Sequence, residues 1–122
     1  MSEYSFDVEM LERRGIPVKQ FEAGERIFLE SDAGDAMYVV RSGEVDVLIF
    51  GRVLERVGAG GIFGEMAIIN DAPRAAAALA NQPTEVAVID KSTFMVLAAE
   101  EPEFALAVMR AMTERVRRSK RM

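Results

Sequence analysis

Between Gly64 and Ala76 the chain reads GEMAIINDAPRAA, with the carboxylate of Glu65 nine positions ahead of the guanidinium of Arg74 on a background of alanine and isoleucine. The run from Gly64 to Ile69 predicts one turn of helix. At its start the amides of Met66 and Ala67 lack partners and carry the positive end of the helix dipole, and Gly64 has no side chain to block close approach. The turn Asn70-Asp71-Ala72-Pro73 follows, with Pro73 restricting the backbone so that Arg74 enters a strand over 75–80 in one orientation. Helix amides and an arginine fork suit an anion with paired oxygens, such as a phosphate. Glu65 has the wrong sign for such a site, unless the ligand also presents a hydroxyl donor beside its phosphate while the carboxylate balances Arg74. A ribose phosphate fits this description. The plainer alternative is a structural ion pair between Glu65 and Arg74.

These residues resemble the phosphate-binding cassette of the cyclic-nucleotide-binding domain family, found in catabolite-activator-type regulators, kinase regulatory subunits and cyclic-nucleotide-gated channels. Phe63-Gly64-Glu65-Met66-Ala67-Ile68 and then Pro73-Arg74-Ala75-Ala76 follow the order and spacing of F-G-E-[LM]-[AS]-L and P-R-x-A. FEAGERIFLESDAGDAMYVVRSGEVDV looks like the first half of such a domain, so that the resemblance covers about residues 17 to 117. It implies that Glu65 accepts a bond from the ribose 2′-hydroxyl and that Arg74 clamps the phosphate oxygens. The amides of Gly64, Glu65, Met66, Ala67, Ala75 and Ala76 would complete the cradle, next to Phe63. A threonine or serine at position 75 often marks cGMP preference in the family, so Ala75 directs the expectation to cAMP and leaves cGMP open. Arg115, in the last helix, is the candidate lid over the base, with Arg117 and Arg118 near enough to compete for the role. Two positions depart from the family pattern: Ser31 where a glycine is common, and Ala77 where a threonine or serine is common.

The elements that must position these residues are legible in outline. Phe6, Met10 and Leu11 at helical spacing, with Gly15 beyond, predict a helix over about residues 5 to 14 within an N-terminal segment 1–16. Residues 17–90 show short runs of Val, Ile, Phe and Tyr broken by glycine-containing turns, the pattern of a β-roll that encloses the cassette at 63–76. The fold class expected is mainly β with flanking α: an antiparallel jelly-roll β-barrel of about eight strands. MYVVRSGEVDVLIF predicts a hairpin turning at Ser42-Gly43, with Val45, Val47 and Ile49 on one face, and a second hairpin turns at Phe50-Gly51. Residues 91–122 read as two helices, one capped by Asp90 or Ser92 and one with Pro102 in its first turn. On the second, Phe104, Ala107, Val108, Ala111, Met112 and Val116 form an apolar stripe. The methionines at 37, 66, 95, 109 and 112 are expected to fill the core. Glu100, Glu101 and Glu103 are read as dipole-compensating acids at a helix start.

Composition narrows the function classes. The 122 residues include no cysteine and no histidine, which removes thiol chemistry, histidine relays and most zinc sites. No catalytic residue, metal or cofactor is expected, and the reading is of a binding module and no enzyme. The formal charge of -5 is unevenly spread. Residues 110–122 carry six basic side chains and one acidic, while the acidic body argues against direct nucleic-acid binding. The N-terminus has no apolar signal core and no run is long enough to cross a bilayer, so a cytoplasmic setting without membrane contact is expected. A single domain over 1–122, transmitting cyclic-nucleotide binding through its C-terminal helices to an effector protein, is the leading expectation, with a homodimer through the last helix as a further contact. The alternatives are a protein-interaction scaffold with a degenerate pocket and the sensor part of a DNA-binding regulator without its helix-turn-helix. No effector domain is visible in the 122 residues.

Overall fold

From Val18 to Asp90 the short apolar runs fold as strands: β1 (Val18–Phe21), β2 (Arg26–Phe28), β3 (Ala36–Ser42), β4 (Glu44–Ile49), β5 (Arg52–Gly58), β6 (Ile62–Phe63), β7 (Ala77–Ala80) and β8 (Thr84–Asp90). The helices are α1 (Val8–Arg13), α2 (Glu65–Ile69), α3 (Lys91–Glu100) and α4 (Pro102–Arg121). The computed structural model describes residues 7–121, with side chains up to Arg118; Phe6, expected in the first helix, lies outside these residues. Every strand pairing is antiparallel, in two four-stranded sheets of order β1-β8-β3-β6 and β2-β7-β4-β5. This is the jelly-roll arrangement expected, as two facing sheets whose edges stay open.

The first sheet is covered on both faces, which explains why β3 and β8 read as continuous apolar runs instead of alternating ones. Val40 and Val86 face the second sheet, in a core with Phe21, Val45, Val57, Phe63, Ala78 and Ala80. Met37, Val39, Ala87 and Ile89 face the helices, in a core with Leu11, Ile68, Leu97, Phe104, Val108 and Ala111. The same double coverage overturns one expected hairpin. β3 and β4 lie in different sheets and do not pair, and Gly43 is a corner between layers. There its φ is 90°, and a Cβ would sit 2.4 Å from the Pro83 carbonyl oxygen, so the crossing requires glycine. The second hairpin forms as expected, β4 against β5, with Phe50 and Gly51 at φ 51° and 76°.

The helix ends follow local chemistry. Asp7 caps α1 by accepting from the Met10 amide, and Asp90, not Ser92, caps α3 by accepting from the Thr93 amide. Glu100 ends α3, where the dipole offers it nothing, whereas Glu101 directly precedes α4 and its carbonyl accepts from the Phe104 and Ala105 amides; Arg14 pairs with both side chains, at 2.6 and 2.8 Å. Glu103 alone of the three stands in the first turn of α4. Val116 leaves the expected stripe and is 57% exposed, because α4 has run past the β3–β8 surface that buries its earlier turns. Met37 is fully buried and Met112 packs against the core. Met66, Met95 and Met109 are exposed, contrary to the expectation of core filling.

Candidate functional site

The expected helical turn forms as α2, five residues long, entered through Gly64 at φ 78° with no side-chain cap. The positive φ explains glycine there, and its missing Cβ leaves room for Arg74, whose Nη1 would lie 2.8 Å from such an atom. Glu65 opens the helix and is buried; Arg74 is buried as well. Both line one cavity of about 350 Å³, together with Phe63, Gly64, Met66, Ala67, Ala75 and Ala76, so the structure brings together every residue expected in the cradle. That volume lies within the range of about 300–1,000 Å³ common to small-molecule sites.

Arg74 is held from three sides. Its Nη1 donates to the Gly64 carbonyl and its Nη2 to the Ala36 carbonyl, both at 2.7 Å. The guanidinium lies 4.1 Å from the Phe28 ring centroid and 5.7 Å from that of Tyr38. Phe28, Tyr38 and Phe63 pack on one another with centroids 5.0 to 6.1 Å apart, which makes the aromatic floor rigid. Burial pushes the Tyr38 hydroxyl up from its ordinary pKa, and the charge of Arg74 opposes that rise. Gly34 closes the last side: a Cβ there would fall 2.5 Å from Arg74 Nε and 2.7 Å from the Ala67 Cβ. Phe28, Tyr38 and Gly34 carry no motif signal of their own, and only the folded chain shows that they seat Arg74.

Glu65 does not balance Arg74, as the sequence suggested. Its ion pair is with Arg115 of α4, Nη1 to Oε1 at 2.5 Å. Arg115 also donates from Nε to Glu55 at 2.9 Å and from Nη2 to the Ile62 carbonyl. Burial works against the charge on Arg115, and the carboxylates of Glu65 and Glu55 outweigh it, so the net direction of its pKa is upward. Arg115 is thus in the cavity wall, with Arg118 beside it at 3.4 Å from Glu55, whereas Arg117 pairs with Glu114 along the helix and is not in the wall.

Glu55 escaped the sequence reading. Along β4 and β5 the register shifts between Val47↔Glu55 and Leu48↔Val53, leaving Leu54 as an extra residue. Such a bulge breaks the alternation of faces, and both Leu54 and Glu55 line the cavity, with Val47 and Ile49 as apolar neighbours. The departures noted at Ser31 and Ala77 are local. Ser31 adopts φ 73°, a conformation in which glycine would be unstrained, and Ala77 begins β7.

Comparison with known proteins agrees with this geometry. The family profile described as "Cyclic nucleotide-binding domain" matches residues 18–101. The cAMP-dependent protein kinase regulatory subunit of Yarrowia lipolytica is 40% identical over 76 residues, covering 62% of this chain and 20% of that protein. The chain therefore spans about a fifth of the length of such curated relatives. Among solved structures, the catabolite activator protein of Thermus thermophilus superposes with a TM-score of 0.81 at 27% identity, covering 93% of this chain and 55% of the other. A cyclic nucleotide-binding domain from Methylobacillus flagellatus gives 0.78 at 28%, covering 93% and 70%. The chain belongs to the cyclic nucleotide-binding domain family.

Proposed function

We propose that this chain is a receptor module for a cyclic nucleotide, cAMP first, and that occupancy is passed on through α4 to a partner protein. The observation that carries the reading is the convergence of Glu65 and Arg74 on one cavity at the start of α2. Two N–H groups of Arg74 are spent on carbonyls; one N–H on each terminal nitrogen is left for a pair of phosphate oxygens, and the buried Nε has no hydrogen-bond partner among the described residues. The amides at the start of α2 and those of Ala75 and Ala76 would complete the cradle, and Glu65 would accept from the ribose 2′-hydroxyl. The apolar wall of Val47, Ile49 and Leu54 suits a purine. Preference for cAMP rests on Ala75, which has no hydroxyl to offer guanine, and is supported by the cAMP-dependent relatives. Arg115 and Arg118 tie α4 to the cavity, so a ligand that favours one α4 position shifts its population, by no more than its differential affinity. Binding without turnover is the proposed outcome, with Glu65 committed to the sugar and Glu55 to Arg115.

Calorimetric titration of cAMP, cGMP and AMP tests this. A charge-assisted hydrogen bond to the phosphate is worth roughly 1.5–3 kcal/mol, so Arg74→Ala is expected to weaken cAMP binding by about 10- to 100-fold. An unchanged dissociation constant removes Arg74 from the cradle.

A further inference from the structure

Arg74 is a buried cation with no carboxylate bound to it. Its terminal nitrogens donate to the carbonyls of Gly64 and Ala36, its Nε is buried without a hydrogen-bond partner, and among the described residues no acid pairs with it. The two acids of the cavity are engaged elsewhere, Glu65 by Arg115 and Glu55 by Arg115 and Arg118. A buried charge without a counter-charge is costly, yet a built feature keeps this one in place. The guanidinium carbon stands 4.1 Å from the ring centroid of Phe28. Phe28 reaches it through a bulge: β2 pairs with β7 as Arg26↔Leu79 and then Phe28↔Ala78, which leaves Ile27 as an extra residue, and Ile27 and Phe28 both pack on the core between the sheets. Tyr38 and Phe63, from the first sheet, meet the Phe28 ring at 6.1 and 6.0 Å and hold it there.

We infer that Phe28 is a positioning residue for phosphate recognition, its ring face taking the place of a carboxylate under the Arg74 guanidinium, so that the cation is oriented without being neutralised. This rests on the receptor reading above. Two physical effects follow. The negative face of an aromatic quadrupole attracts a cation but carries no net charge, so the whole positive charge of Arg74 is left for an anionic ligand. A carboxylate in the same place would compete with the phosphate for the same N–H groups. The ring and the two carbonyls also fix the guanidinium before the ligand arrives, so its two free N–H groups lose little rotamer freedom on binding.

The test uses the full chain and two readouts, with far-UV circular dichroism as the check on folding. The first needs no ligand. The Nε–H of Arg74, followed in proton–nitrogen correlation spectra and assigned by its loss in Arg74→Gln, is expected upfield of the exposed arginines because it lies over a ring, and to move back toward them in Phe28→Leu, which keeps an apolar side chain without the ring. The second is calorimetric titration of cAMP. Phe28→Leu is expected to weaken binding about three- to tenfold, and Phe28→Tyr, which keeps the ring, to recover most of that loss. In the Arg74→Gln background Phe28→Leu is expected to change affinity by less than about twofold, since its effect passes through the guanidinium. Phe28 also lines the cavity, and an equal loss in both backgrounds would mean that it acts on the ligand directly; that result overturns the inference. An Arg74 resonance unaltered by Phe28→Leu overturns it too. If Phe28→Leu does not fold, the wild-type spectrum decides, and an Nε–H among those of the exposed arginines removes Phe28 from the seat. If the wild type binds no cyclic nucleotide, the receptor reading itself falls, an outcome distinct from binding that is indifferent to the ring.

Discussion

One tightly packed position behind the cavity wall has no side chain at all. Gly34 packs directly on the Arg74 guanidinium, and its importance lies in space, since its backbone is not in the left-handed region. Substituting alanine would force apart Arg74, fixed by two carbonyls and the Phe28 face, and Ala67, fixed on α2. We expect Gly34→Ala to cost about 1–3 kcal/mol of stability, the usual range for overpacking a filled site, and to weaken nucleotide binding along with Arg74→Ala. Urea unfolding and titration of the same preparation check both; an alanine variant with wild-type stability and affinity would show that Arg74 has more room than the packing allows. Glu65 teaches the complementary point. Its charge suggested a partner, and Arg74 was the nearest in sequence, yet the partner is Arg115, 50 positions away.

At the scale of elements, α3 and α4 are set against the first sheet by the buried faces of Leu97, Phe104 and Val108, and the start of α3 is fixed by Asp90. Bonds from the Thr93 amide and the Ser92 hydroxyl hold the Asp90 carboxyl below the usual carboxylate range. A depressed folded-state pKa means stability that is fully present above the unfolded value, about 3.9, and lost as pH falls through the folded one. Asparagine caps nearly as well as aspartate without titrating. Asp90→Asn is therefore expected to lose less stability than the wild type on acidification below about pH 4, with the two curves parallel above it. Denaturant titrations from pH 7 to pH 3 read this directly; curves parallel throughout would mean that the cap carries no charge dependence. The β4–β5 bulge is the other element-scale device, for it converts an alternating strand into one that offers Leu54 and Glu55 to the same cavity.

At the scale of the whole molecule, the cavity draws on β2, β4, β5, β6, α2, the segment 74–76 and α4, so a ligand there bridges both sheets and the last helix. Mass action then requires cAMP at a hundredfold excess over its dissociation constant to stabilise the folded chain by about 2.7 kcal/mol, a rise in Tm of roughly 10 °C for a domain of this size. A thermal melt with AMP as control measures it, and no shift with either cyclic nucleotide would argue against a site. The fold class, the strand regions, the Phe50-Gly51 turn, the starts of α3 and α4 and the gathering of 63–67 and 74–76 on one cavity could be read from the chain, because each depends on local geometry: glycine at positive φ, proline before the arginine, a capping aspartate, a period of two or of 3.6. The layer crossing at Gly43, the seat of Arg74 among Phe28, Tyr38 and Gly34, the exposure of Val116 and the triad of Arg115, Glu55 and Glu65 could not. Those depend on which sheet a strand joins, where a register slips by one residue and how far a helix extends beyond the surface that buries it, and these are settled only when distant segments compete for the same core.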